Sequence, residues 1–144
     1  MHFDVAGRPD RWEDRSFLSW FALPLIATAV AGFLELASRY SVRHPQLWNV
    51  PDRRRFLELD PAARAPIVAQ LQDFMAMTGM MGTALVMLVQ FSIYRYATGH
   101  GSGLPVYVFA GTGIFLLVLL SSALRMNARV GTMIRDAHRR AGAS

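Results

Sequence analysis

The sequence has 144 residues, a net charge of +5 and a hydrophobic content of 53%. It contains no cysteine, which excludes disulfide bonds and thiolate metal sites, and all its basic residues other than histidine are arginines. Because these arginines lie between apolar stretches, where membrane topology would place them, the composition argues against nucleic-acid binding and for an integral membrane protein.

Three apolar stretches of 21 residues dominate the chain, at residues 17–37, 74–94 and 104–124. Together they contain one charged residue, Glu35, near the end of the first stretch. At about 1.5 Å per residue, each stretch can form a helix that crosses the roughly 30 Å hydrocarbon core of a bilayer. The sequence therefore predicts an all-α integral membrane protein with three transmembrane helices and amphipathic segments at the inner face.

Local signals divide the chain into seven segments. No cleavable signal peptide is visible before residue 15, so we expect the first helix to serve as an uncleaved insertion signal. Asp60 followed by Pro61 predicts a helix start. In order, the segments are an outer polar segment (1–15), a transmembrane helix (16–40), an inner interfacial connection (41–60), a long transmembrane helix (61–97), an outer turn (98–103), a transmembrane helix (104–124) and an amphipathic cytoplasmic arm (125–144).

Two features of the first helix stand out. Pro24 lies inside it, removes a backbone donor and predicts a kink. Glu35 and Arg39 are spaced i, i+4, which predicts an ion pair on the helix surface. A buried proton or ion site at Glu35 is the alternative reading.

The inner connection contains a short amphipathic pattern. Apolar Phe56, Leu57 and Leu59 follow three consecutive arginines, which predicts a helix lying among lipid headgroups. Trp48 is expected in the aromatic belt at the same interface. The arginines assigned to lipid headgroups are Arg53, Arg54 and Arg55, either as general positive-inside anchors or as a specific lipid site.

The arginines also predict orientation. Three spans place residues 38–66 and the chain after residue 124 on one face, and these segments hold eleven arginines against four on the other face. An excess of arginine marks the cytoplasmic side. We therefore predict a multi-pass protein of the bacterial inner membrane, with the N-terminus outside and the C-terminus in the cytoplasm.

Small residues in the second and third spans predict close helix packing, because they let a neighbouring helix approach. Nearby methionines suit irregular contacts; a methionine copper site is the alternative. The residues assigned to helix packing are Gly79, Gly82, Thr83, Gly111 and Gly113. We expect the partners to be membrane lipids and other integral membrane subunits.

The sequence shows no catalytic or metal-binding motif. All four histidines lie outside the apolar stretches. We predict no enzyme activity and no cofactor; His100, in the outer turn, is the nearest candidate for a haem or pigment ligand, and a solvated turn histidine is the simpler interpretation.

The first twelve residues carry a family resemblance. The matching residues are His2, Phe3, Asp4, Gly7, Pro9, Asp10 and Trp12. This motif, followed by a span with a proline, resembles a bacterial membrane domain of unknown function that is found in immunity proteins against a sporulation-delaying toxin. Relatives normally have a helix before the motif, so the resemblance implies a shortened member with an outward-facing polar motif.

Three functions follow from these observations. The first is a non-catalytic accessory subunit of a larger membrane complex, of respiratory or photosynthetic type. The second is a self-standing immunity or signalling protein that recognises an extracellular peptide or toxin. The third is a small transporter or pigment-binding protein.

Overall fold

The computed structural model describes residues 2–3, 9–11, 16–100 and 106–142. Long helices make up most of this part of the chain, so the all-α class is confirmed. The elements are β1 (His2–Phe3), β2 (Pro9–Arg11), α1 (Phe17–Arg43), a 3-10 turn (Pro45–Leu47), α2 (Arg53–Glu58), α3 (Pro61–Ala97) and α4 (Val106–Ala141).

Helices α1, α3 and α4 are each long and apolar enough to cross a membrane. They contain 27, 37 and 36 residues, which at about 1.5 Å per residue gives lengths of about 40, 55 and 54 Å. The described chain thus has the three helices of a multi-pass membrane protein. Because α3 and α4 exceed the roughly 30 Å hydrocarbon core, parts of both reach beyond it unless they tilt strongly.

The ends of α3 are fixed by local hydrogen bonds. At its start, the Ala63 N–H donates to Oδ1 of Asp60 at 2.9 Å, which is the predicted N-cap. At its end, Gly99 has a φ of 78°. The N–H groups of Gly99 and His100 donate to the carbonyls of Tyr96 and Arg95. This pair of bonds is a Schellman motif, which explains why glycine occupies that position.

The chain divides into two units. The first unit comprises Met1–Ala31 and Gly79–Leu117, and the second comprises Gly32–Thr78 and Val118–Ser144. Each contains a part of α1, α3 and α4.

The second unit contains a hydrophobic core built by the connection, α3 and α4. Its buried residues are Trp48, Val50, Phe56, Leu59, Ile67, Val68, Leu71, Val130 and Ile134. The predicted apolar stripe of the C-terminal arm therefore packs onto its own chain: Val130 and Ile134 are fully buried, and Met126, Met133 and Ala137 lie against the same core.

This core changes the interpretation of the inner connection. We expected Phe56 and Leu59 to enter lipid headgroups and Trp48 to join an interfacial belt. Instead all three side chains are buried, and Trp48 Nε1 donates to the carbonyl of Ser41 at 3.0 Å. The reason is that apolar side chains of α3 and α4, among them Ile67 and Val130, pack against them in the same core. Only Leu57 stays partly exposed.

Arg64 ties the connection to α3. Its Nη2 donates to the carbonyls of Leu57 and Leu59, at the C-terminal end of α2, where carbonyls lack helical partners. The guanidinium also lies 5.5 Å from the ring centroid of Phe56, in a cation–π geometry. Arg64 thus holds the C-terminal end of α2 against α3.

The first unit is packed differently. In its described residues only Val108 and Ser92 are buried. Ser92 Oγ donates to the carbonyl of Leu88 and lies 3.3 Å from the hydroxyl of Tyr107. Large apolar side chains on all three helices remain exposed. In lipid such exposure carries little penalty, because acyl chains are as apolar as leucine.

Candidate functional site

An open groove between α1 and α3 lies in the first unit and encloses about 490 Å³. Its walls are mostly apolar and carry no charged side chain. The lining residues are Trp20, Pro24, Ala27, Thr28, Thr83, Val86, Met87, Gln90, Phe91 and Tyr94. On α3 they recur at helical spacing, so that they form one continuous face. The groove can therefore accept an apolar helix or chain.

A hydrogen bond joins α1 and α3 through two residues that line this groove. Pro24 has no N–H, so the carbonyl of Trp20, four residues earlier, lacks its helical donor. Gln90 Nε2 donates to this carbonyl at 2.9 Å. Thr28 Oγ1 donates to the carbonyl of Pro24 at 2.8 Å. Gln90 thus satisfies the carbonyl that the proline leaves without a donor, and Thr28 satisfies its own hydroxyl, as polar groups must be in a hydrocarbon environment.

The rim of the groove combines fixed and adaptable side chains. The rings of Trp20 and Tyr94 meet edge to face, with centroids 6.5 Å apart. Met87 and Phe91 are 68% and 55% exposed. Methionine adapts to irregular surfaces because its side chain is flexible and polarizable. This wall therefore suits a contact whose shape is set by the partner.

Three of the four glycines predicted to pack helices divide into two groups. A Cβ at Gly111 would lie 2.9 Å from Leu88 Cδ2, so α4 already approaches α3 closely there. A Cβ at Gly82 or Gly113 would meet no atom within 4 Å. These two positions are not used by packing within the described chain.

Thr83 was also predicted to pack helices, and it lies one helical turn after Gly79. Thr83 lines the groove, and its Oγ1 donates to the carbonyl of Gly79 at 2.9 Å. This bond removes the hydroxyl from competition with a partner. The residue therefore presents its methyl group and its helix backbone, which is consistent with close helix approach.

The arginines predicted to bind headgroups have partners in their own chain. Arg53 donates to the Gln46 carbonyl at 2.6 Å. Arg54 pairs with Glu58, and Arg55 pairs with Asp52, both at 3.2 Å. The side chains of Arg54 and Arg55 are 91% and 51% exposed, and Arg53 is exposed too. They remain available to solvent or headgroups while being held in place locally.

The Glu35–Arg39 ion pair is confirmed, with Arg39 Nε 2.6 Å from Glu35 Oε1. Both side chains are exposed, at 75% for Arg39 and 52% for Glu35. A buried ion site at Glu35 does not agree with this exposure.

The motif near the N-terminus is described only in part. Strands β1 and β2 pair antiparallel, with His2 opposite Arg11 and Phe3 opposite Pro9. The backbone thus brings the two ends of the motif side by side. The predicted motif residues that lie outside the described part of the chain are Asp4, Gly7 and Trp12.

The predicted ligand candidate, His100, lies in the exposed turn after α3. Its Nδ1 is 3.1 Å from Thr98 Oγ1. Within the described ranges, no group of three or more His, Asp or Glu side chains could hold a metal ion. The local partner of His100 suggests a role in the turn.

Comparison with family models, with curated proteins and with solved structures found no match for this chain. The resemblance to the immunity-protein domain therefore stays a prediction.

Sequence reasoning missed the bond between Gln90 and Trp20. Pro24 signalled that the carbonyl four residues earlier would need another donor, and Gln90 is the sole strongly polar side chain in its apolar stretch. The two signals together could have suggested the pair.

Proposed function

We propose that this chain is a non-catalytic accessory subunit of a bacterial membrane complex and that its first unit packs against transmembrane helices of a partner. The observation that supports the proposal is the open apolar groove between α1 and α3, in which Gln90 already satisfies the Trp20 carbonyl that Pro24 leaves without its helical donor. A partner helix would need to supply only apolar contacts.

Helix association in lipid depends on close van der Waals packing rather than on removal of apolar surface from water. The unfilled position at Gly82 is one helical turn before Val86 on the groove wall. A neighbouring helix could approach the backbone there. The exposed Met87 side chain could then adapt to its surface.

The test is affinity purification of the full chain from native membranes in mild detergent. We expect a larger partner to co-purify in fixed ratio with the wild-type chain. Gly82→Leu and Gly79→Leu should remove most of that partner without lowering the amount of the chain in the membrane. The matched control is Ala29→Leu, which places the same leucine side chain at an exposed position of α1 outside the groove. Wild-type partner levels in both glycine variants would contradict the proposed packing surface.

We further propose that the arginine-rich second unit faces the cytoplasm. The support is the asymmetry of eleven arginines against four between the two predicted faces. A reporter that is active only in the cytoplasm should therefore be active when it is fused to the C-terminus. If replacing the arginines of the connection left that location unchanged, the arginine argument would be wrong.

A second candidate function is that of a self-standing immunity or signalling protein. The pairing of β1 with β2 favours it, because it gathers the ends of the polar motif into one small hairpin-like element. Deletion of the gene should then sensitise cells to a secreted peptide. Wild type and Gly82→Leu should restore resistance, whereas His2→Ala with Asp10→Ala should not. Full resistance in the deletion strain would argue against this function.

A further inference from the structure

A second groove, of about 220 Å³, lies in the second unit between α3 and α4. Its charged wall is formed by Arg125 and Arg129 of α4 and by Asp73 of α3. The two arginines are four residues apart and therefore lie on the same face of α4. Like charges at this spacing repel each other, so the arrangement favours an anion between them.

These two arginines differ from others in the same unit. Among the described residues, no carboxylate lies within 4 Å of the guanidinium of Arg125 or Arg129, although Asp73 lines the same groove. By contrast Arg39, Arg54, Arg55 and Arg139 each have an acidic partner in the chain. With two arginines and one aspartate, the groove carries one net positive charge.

The rest of the groove is apolar and lies at the end of the predicted spans. Phe74, Met77 and Met126 line it. The apolar stretch of α3 begins at Phe74, directly after Asp73, and the apolar stretch of α4 ends one residue before Arg125. Both helices thus change from charged to apolar at this groove, which is where the phosphates of a bilayer leaflet lie beside the acyl chains.

We propose that this groove binds one phospholipid with a single net negative charge. Its phosphodiester lies between Arg125 and Arg129, which suit phosphate oxygens because a guanidinium offers several N–H donors in one plane. Its acyl chain lies along Phe74, Met77 and Met126. Gln70 and Ser122, which also line the groove, offer hydrogen bonds to the glycerol and headgroup hydroxyls.

Native mass spectrometry of the delipidated full chain in mild detergent tests this proposal. The probes are phosphatidylglycerol and phosphatidylcholine, added in equal amounts. We expect one bound phosphatidylglycerol, preferred roughly tenfold over phosphatidylcholine, because two arginines contact the headgroup. The double variant Arg125→Gln with Arg129→Gln should reduce this preference to about one.

The matched control is Arg54→Gln with Arg139→Gln, which removes the same charge from arginines that have acidic partners. It should keep the preference. An equal loss in both double variants would show nonspecific attraction and overturn the proposal. Displacement of the lipid by millimolar glycerophosphate or inorganic phosphate would also overturn it, since the groove would then bind a soluble anion. Either failure leaves the proposed subunit role unaffected, because that role depends on the other groove.

Discussion

The two units of this protein use the same helices but bury their side chains very differently. The second unit has a hydrophobic core around Phe56, with charged side chains on its surface and exposed apolar side chains such as Phe33 and Leu124 on its parts of α1 and α4. In the described part of the first unit only two residues are buried, and large apolar side chains are exposed. A buried core of this kind is typical of folds in water, whereas a unit with almost no buried side chains among its described residues suits surroundings that are as apolar as its surface.

This difference teaches which interactions hold each unit together. In the second unit, apolar burial contributes most, as in soluble domains. In the first unit, individual contacts contribute more. These are the hydrogen bond from Gln90 to the Trp20 carbonyl and the close approach of Gly111 to Leu88. Substitutions in the two units should therefore respond in different ways.

The largest expected effect is at Phe56. Its side chain is fully buried, so Phe56→Ala should lower the free energy of unfolding by about 3–5 kcal/mol through lost contacts and a cavity. The matched change in the first unit is Phe91→Ala, at a side chain that is 55% exposed, which should cost less than about 1 kcal/mol. Denaturant titration in detergent micelles, followed by circular dichroism, measures both. Equal losses would contradict the comparison.

A glycine pair gives the next largest effect. Gly131 is buried in the second unit, and a Cβ there would lie 3.6 Å from Pro51 Cβ. Gly131→Leu should destabilise the chain by about 1–3 kcal/mol, because the larger side chain does not fit. Gly113→Leu, at an open position of the first unit, should leave stability unchanged or raise it by up to about 1 kcal/mol through helix propensity. Thermal unfolding of the two variants in the same detergent compares them, and a loss at Gly113 as large as that at Gly131 would show packing there.

The smallest effect tests the hydrogen bond in the first unit. Gln90→Ala should reduce stability by about 1 kcal/mol, because the Trp20 carbonyl loses its donor. In the Pro24→Ala background the residue at position 24 has an N–H that can donate to that carbonyl, so the same change should have less effect. A double-mutant cycle measures this coupling. Purely additive effects would show that the bond does not serve the proline.

Several elements follow directly from local sequence. Asp60 with Pro61 sets the start of α3, and the bond from the Ala63 N–H to Asp60 shows the expected cap. The apolar stripe on the end of α4 was also readable from spacing. The residues that form each of these signals lie within one or two helical turns. The signals can therefore be recognised without knowledge of the rest of the chain.

The candidate sites were harder to predict from the sequence than these elements. Packing at Gly111 and open space at Gly82 look alike in the sequence, because each glycine lies among small residues. Arg53, Arg54 and Arg55 were predicted to bind headgroups, yet each has a partner in the chain, whereas Arg125 and Arg129 have none within 4 Å among the described acidic residues. Arg54 and Arg55 pair with residues three or four positions away, a spacing that the sequence contains, whereas the groove shared by Asp73, Arg125 and Arg129 depends on how α3 and α4 meet.

The sequence by itself determined the all-α class, the three long apolar helices and the cap at the start of α3, because hydropathy and capping are properties of neighbouring residues. Tertiary structure decided that Phe56 and Trp48 are buried and that Gln90 satisfies a carbonyl 70 residues away. It also decided that two arginines, which have no acidic partner within 4 Å in the described part of the chain, share a groove with apolar side chains. These outcomes depend on which residues meet across the fold. The free energy of such a contact depends on the distance between the two side chains and on their burial, and a local sequence pattern contains neither.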